Sequence, residues 1–430
     1  MSRDRAHDAM TAAVGGEREV PAPDPIARDY LLLSLRLDQH VSGLVDGYFG
    51  PADLKAQVDL EQLRSPEHLV DDAGGLLERL SGEVEEPGRR DWLAAQTTAL
   101  QAHARSLAGH GLPYVEHVAA CLGIAPTRRD EAVFEEAAAG IDRLLPGSDA
   151  LEARLDAWDR QFEVAPDRVS EVAEWLVETF RQRARPILGA PDGEALELRI
   201  VRDRPWTGYN SYLGGLRSRI ELNTDLPIRA ADLVHAIAHE TFPGHHLEHA
   251  WKEAELVQRR GRLESSVLLI NAPECLISEG LADLGHDLVS PAETEADLLV
   301  ELYGRAGLRV ASDPAAAAEA AARTVALRPL RSALAASRVN AALMRHADGA
   351  SHDDVLAYLE RVGRYAPRTA AKRLEFIEHP LWRTYIYVYH DGEALLRRWL
   401  EAVPPAQRAH RFGRLLREQL TPAAIEAEIV

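Results

Sequence analysis

Apolar residues recur every three or four positions through most of this chain, the spacing of helices that bury one face. From Ile26 to about Asp46, Leu31, Leu32, Leu35, Leu37, Val41, Leu44 and Val45 keep that rhythm, and Gly47-Tyr48-Phe49-Gly50-Pro51 stops it. The same pattern predicts helices at 66–82, 89–109, 114–122, 128–144, 148–162 and 168–188, divided by Gly or Pro. At Gly189 the period changes to two. Leu196, Leu198 and Ile200 alternate with Glu197 and Arg199, and Arg217 to Asn223 alternates again, with Gly208, Gly214 and Gly215 between, so a β hairpin or small sheet is expected here. Asn223-Thr224-Asp225 then caps a helix starting near Ile228, which runs directly into His239.

Helical spacing returns at 247–260, 264–271, 275–289 and 293–307. An Ala-rich stretch from Pro314 to His346 follows, with a kink or break expected at Pro329, and then helices at 352–364, 367–377, 383–402 and 404–418. The fold class is mainly α. Residues 1–25, polar and punctuated by Gly15-Gly16, Pro21, Pro23 and Pro25, read as a mobile tail. Residues 26–430 read as one helical body: an array over 26–190, a strand and metal-site segment over 191–290, and C-terminal helices over 291–430.

Composition narrows the function. The chain has 430 residues, enough for a large core, and its net charge of −19 opposes any role that wraps nucleic acid phosphates. Two cysteines, Cys121 and Cys275, cannot form a disulfide framework, and the opening MSRDRAHDAM has no apolar core of a signal peptide. A cytoplasmic setting is therefore expected. No run approaches the ~20 apolar residues of a membrane span.

The densest chemistry is His239-Glu240-Thr241-Phe242-Pro243-Gly244-His245-His246. Neutral imidazoles hold zinc, and an adjacent carboxylate can take a proton from water. The spacing is not HExxH, because the fourth position after His239 is Pro243. In an unbroken helix His245 would stand roughly 240° round from His239, on another face. Pro243 lacks a backbone N–H and Gly244 tolerates unusual backbone angles, so a bulge there can return His245 to the side of His239. His246 remains the alternative second ligand, or a neighbour facing substrate.

A third ligand should come from elsewhere, since three protein ligands and one open position are usual in catalytic zinc sites. Glu279, in Ser278-Glu279-Gly280-Leu281-Ala282-Asp283, is the candidate. Gly280 leaves room for another helix, and Asp283, one turn on, can accept the far N–H of a ligand histidine. His235 is read as a core or capping residue.

These residues carry a resemblance. HETFPGHH followed by an acidic helix containing Glu-Gly resembles an uncharacterised bacterial domain family with the signature HExxPGHH. That family is similar in fold to carboxypeptidase Taq metallopeptidases and, more distantly, to the thimet oligopeptidase and angiotensin-converting enzyme type of helical gluzincins. The resemblance implies two helical lobes around a deep cleft, with a small sheet beside the zinc helix. Family members carry a Pro-Gly-Gln segment near the C-terminus, followed by Tyr and, three residues later, Gly. Here Tyr389 and Gly392 keep the spacing but the Pro-Gly-Gln is missing. Tyr389 is a candidate to hydrogen-bond an oxyanion, with Tyr385, Tyr387 and Tyr389 equally readable as packing aromatics.

Tyr209, Asn210 and Arg219 are candidate substrate contacts, a guanidinium being suited to a carboxylate. The expected function is a zinc-dependent hydrolase, a metallopeptidase or carboxypeptidase-like enzyme acting on small peptides, with Zn2+ as cofactor and Glu240 as base. Two alternatives stay open: a non-peptide amide hydrolase, and a helical binding protein with a structural or degenerate metal site. Oligomeric state is not legible.

Overall fold

Helices start where the chain supplies a cap. In the computed structural model, which describes residues 23–204 and 206–429, the first helix spans Pro25–Asp38, with the Asp24 side chain accepting from the Ala27 N–H at 2.8 Å. Of the expected N-terminal tail, residues 1–22 lie outside the described residues. Ser65, Asp130, Asp313 and Ser351 cap later helices in the same way. The fold is mainly α, and its buried apolar residues form one cluster running from Ile26 to Ile425.

Two expected helices give way to one small sheet. The first helix ends at Asp38 rather than near Asp46, because the Asp38 carboxylate accepts from the N–H groups of Gly43 at 3.1 Å and Val45 at 3.0 Å. The chain then enters a strand, Val45–Tyr48, which pairs antiparallel with Val267–Leu269 inside the span expected as helix 264–271. Tertiary pairing has overridden local periodicity at both ends. The expected break at Pro329 does not occur either. Pro314–Ala335 runs on through it, with Leu330 seated against Gly140 of a neighbouring helix, and a new helix starts at Ser337.

The expected hairpin becomes a three-stranded sheet. Strand β1 (Ala195–Val201) pairs in parallel with β3 (Arg217–Asn223), and β2 (Gly208–Gly214) forms the antiparallel hairpin with β3. The order is β1-β3-β2, so β2 is an edge strand.

Four helices position the candidate site: α1 (Ala230–Glu240), α2 (His245–Lys252), α3 (Pro273–Val289) and α4 (Ile386–Glu401). Helices α3 and α4 cross with their backbones in contact. A Cβ on Gly280 would stand 2.5 Å from the carbonyl carbon of Gly392, and one on Gly392 would stand 2.3 Å from the carbonyl oxygen of Leu276. Only two glycines permit that approach. Beside this crossing opens a cleft of about 2880 Å³, walled by both halves of the chain, from Leu35 to Arg397.

Candidate metal centre

Helix α1 ends at Glu240, and Thr241–Gly244 form a wide turn before α2 begins at His245. The Gly244 N–H donates to the Ala238 carbonyl at 3.1 Å and the Leu247 N–H to Thr241 at 3.2 Å, each bond reaching back six residues rather than four. The extra residues are therefore accommodated in the turn between the helices, which these two bonds bridge. The Phe242–Pro243 peptide bond is cis. Position 244 admits only glycine, since a Cβ there would lie 1.8 Å from the His239 carbonyl oxygen.

The turn brings His245 back to His239. Their Nε2 atoms are 3.1 Å apart, and Glu279 completes a triangle, with Oε2 3.5 Å from His239 Nε2 and Oε1 3.5 Å from His245 Nε2. A tetrahedral zinc ion about 2.0–2.1 Å from each donor needs donors roughly 3.4 Å apart. The three donors fit that requirement. Glu279 Oε2 is also buried with no hydrogen-bond partner, as a ligand oxygen facing an ion would be.

Neighbouring groups fix each donor. Asp283 Oδ1 lies 2.9 Å from His239 Nδ1, and Ser278 Oγ lies 3.2 Å from His245 Nδ1 while donating to Glu248 at 2.5 Å. The Tyr385 hydroxyl donates to Glu279 Oε1 at 2.7 Å. Glu248 is itself held by Lys252 Nζ at 2.7 Å; Lys252 also reaches Glu274 at 2.5 Å, and Glu274 is approached by Gln96 at 3.4 Å. Burial opposes charge on both rings, yet Asp283 and Glu279 outweigh it at His239, and Glu248 and Glu279 hold His245 up at about 10. Carboxylates that hold protons on imidazoles in this way also attract a divalent cation.

His246 does not join the set. It is fully buried, with Nε2 2.9 Å from Glu194 Oε2 and Nδ1 2.8 Å from Ser218 Oγ, so it ties α2 to the sheet and stands outside the three-donor group. His235 is not a core residue: its side chain is exposed and its Nε2 lies 3.4 Å from Asp283 Oδ1. Asn210 is buried on the cleft wall and donates from Nδ2 to the Glu240 carbonyl at 2.7 Å, holding the end of α1, while its Oδ1 has no hydrogen-bond partner among the described residues. Arg219 is paired with Glu197 at 3.4 Å on the adjacent strand. Tyr209 lines the cleft, its hydroxyl donating to Asp46 at 2.7 Å.

Glu240 also lines the cleft. No hydrogen bond from the described residues occupies its carboxylate, and burial pushes its pKa above the usual range. Tyr389 opens to the same cleft, its ring edge-on to Tyr385 at 5.4 Å. Tyr385 is the contact that sequence reasoning left among packing aromatics. Four-residue spacing on one helix was the available signal, since it puts Tyr385 and Tyr389 on one face and sends Tyr387 into the core.

No protein-family model matches the chain, and no curated relative does. Its fold is similar to a solved structure of a "putative lipoprotein" from Colwellia psychrerythraea, with a TM-score of 0.50 at 13% identity over 96% of this chain and 77% of that one. A "putative lipoprotein of unknown function" from Shewanella oneidensis aligns with a TM-score of 0.45 at 12% identity, over 93% and 82% of the two chains. Among the described residues no helix is long and apolar enough to cross a membrane.

Proposed function

We propose that this chain is a zinc-dependent hydrolase, a metallopeptidase acting on small peptides, with Glu240 as general base. The observation that carries the reading is the facing pair of ring nitrogens, 3.1 Å apart, closed by a Glu279 oxygen that is buried without a partner. The resemblance of HETFPGHH to the helical gluzincins points the same way. A zinc ion held by His239, His245 and Glu279 would supply Lewis acidity, polarising a substrate carbonyl and acidifying water at its open position.

The chain's own residues do the rest. Glu240, with its carboxylate free on the cleft wall, takes a proton from the attacking water and delivers it to the leaving amine. Tyr389 offers a phenol to the oxyanion. Asp283 and Ser278 hold the far nitrogens of the two rings, and Tyr385 holds Glu279, so the donors are oriented before substrate arrives. The edge strand β2 lies along the cleft with no ladder partner on its outer side among the described residues, which suits an extended peptide. Gly208 on that strand keeps the space beside Glu240 clear, as a Cβ there would stand 3.3 Å from Glu240 Oε1.

A closed, purely structural centre would need a fourth protein ligand. His246, the candidate for it, is committed to Glu194 and Ser218, which favours an open one. We place the chemistry in a reducing, cytoplasmic setting, since both thiols are unpaired and buried; cell fractionation checks this. The deciding experiment is metal analysis of the purified protein with hydrolysis of a peptide library by the wild type and Glu240→Gln. Stoichiometric zinc in both, with cleavage only by the wild type, supports the reading. Absence of bound metal, or equal cleavage by both, overturns it, and cleavage of small amides but no peptide moves the substrate to the non-peptide class.

A further inference from the structure

Guanidinium groups in the cleft are mostly matched by carboxylates. Arg328 and Arg397 each lie 2.9 Å from Asp287, and Arg331 and Arg229 approach Asp159 to 2.7 and 2.6 Å. Arg338 and Arg373 are different. Arg338 rises from the helix Ser337–His346 and Arg373 from Pro367–Glu378, and both line the cleft. Arg338 donates from Nε to the Ala335 carbonyl at 3.0 Å and from Nη2 to His390 Nε2 at 3.1 Å. Both acceptors are neutral, because burial and then Arg338 itself hold His390 down at about 3. Arg373 has no hydrogen-bond acceptor or carboxylate among the described residues. Burial, and then the charge of Arg338, push its pKa down.

The molecule carries 68 acidic side chains against 49 basic ones, yet leaves two adjacent guanidiniums without a counter-charge. Like charges brought together on a partly desolvated wall repel, and an anion between them relieves that repulsion. Their location is informative too. Arg338 reaches His390, the residue after Tyr389 on α4, and Tyr389 packs on the Tyr385 ring that holds Glu279. Both guanidiniums share the cleft wall with Tyr389 and Glu279.

We propose that Arg338 and Arg373 form a carboxylate-binding subsite, selecting substrates that carry a carboxylate near the bond to be cleaved. The fork of each guanidinium grips a carboxylate through two parallel N–H bonds, and the pair neutralises a charge that the rest of this acidic surface repels. The carboxylate comes from the C-terminus of a peptide or from an acidic side chain. The selection role rests on the hydrolase reading; the binding itself does not.

Calorimetric titration of the zinc-loaded full chain, in a Glu240→Gln background, separates the cases. Three N-acetylated peptides serve as probes: Ala-Ala-Ala as the free acid, Ala-Ala-Ala amide and Ala-Glu-Ala amide. At least one carboxylate peptide should bind about 10-fold or more tightly than Ala-Ala-Ala amide, and which one does so names the source. Arg373→Met and Arg338→Met should remove most of that preference and Arg373→Lys should keep part of it, with unchanged zinc content and melting temperature reporting an intact fold. Equal affinity for all three peptides, or a preference that survives both methionine variants, overturns the subsite. Tight carboxylate binding by a protein whose wild type cleaves neither peptides nor small amides would instead sink the hydrolase reading and leave the subsite standing.

Discussion

Gly280 and Gly392 touch backbone to backbone, and Glu279, the proposed third metal donor, is the neighbour of one of them. An alanine at either position forces α3 and α4 apart. We expect Gly280→Ala and Gly392→Ala each to cost about 1–3 kcal/mol and to weaken metal binding, because Glu279 moves with α3. Gly75→Ala is the control: Gly75 sits inside the helix Pro66–Glu83 with nothing within 4 Å of its would-be Cβ, so it should gain about 0.5–1 kcal/mol. Chemical denaturation reads all three, and equal effects would contradict the crossing.

The two histidines that follow Gly244 should respond oppositely to substitution. His245→Ala, like His239→Ala and Glu279→Ala, is expected to lose stoichiometric zinc while staying folded. His246→Ala should keep zinc but cost about 1–3 kcal/mol, since buried Glu194 loses its His246 partner at 2.9 Å and keeps only Arg181 at 3.4 Å. Elemental analysis and a melting curve on each variant check the contrast. Retained zinc in His245→Ala would remove it from the donor set.

Glu240→Gln preserves size and most polarity at a side chain that no described donor holds. Zinc content and melting temperature should stay unchanged, while kcat falls about 10²–10⁴-fold with KM little altered. A variant as active as the wild type would assign the base elsewhere.

Tyr385 and Tyr389 can be told apart by which measurement moves. Tyr385→Phe leaves Glu279 Oε1 without its donor and should weaken zinc affinity about 10–100-fold in a competitive chelator titration. Tyr389→Phe should leave that affinity intact and lower kcat by about 10²-fold or more. If both substitutions weaken zinc alike, the oxyanion role for Tyr389 fails.

Much of this was legible before any coordinates. Several helix starts were, the periodic runs expected at 66, 114 and 352 beginning at Pro66, Tyr114 and His352. The cap expected at Asn223-Thr224-Asp225 was not: short strand pairing at Ile228–Arg229 delays the helix to Ala230, behind Arg229 with no side-chain cap bond. The clustering of His239 with Glu279 and Asp283, and the room at Gly280, were legible too, since those residue types are the ones a single cation would gather. The choice between His245 and His246 was not, because it depends on how far a Pro-Gly turn can fold, and that in turn on the six-residue bonds from Gly244 and Leu247. The pairing of Val45–Tyr48 with Val267–Leu269 joins segments more than two hundred residues apart and leaves no local mark. Asn210 and Arg219 do line the cleft, but that the Asn210 amide nitrogen would hold the end of α1, and that Arg219 would pair with Glu197, depends on neighbours the sequence does not reveal.

Lys252 changes what counts as the smallest working piece of this protein. All three proposed zinc donors lie between residues 239 and 279, which invites cutting that region out as a cassette. Yet the ring of His245 is steadied through Ser278 and Glu248 by Lys252, and Lys252 in turn leans on Glu274, which Gln96 approaches from a helix far earlier in the chain. Severed from that helix, the buried ammonium and its carboxylates would meet water and the histidine would lose its bearing. The helix Pro87–Leu107, which carries Gln96, is a foundation, not an appendage, and the centre cannot be transplanted without it.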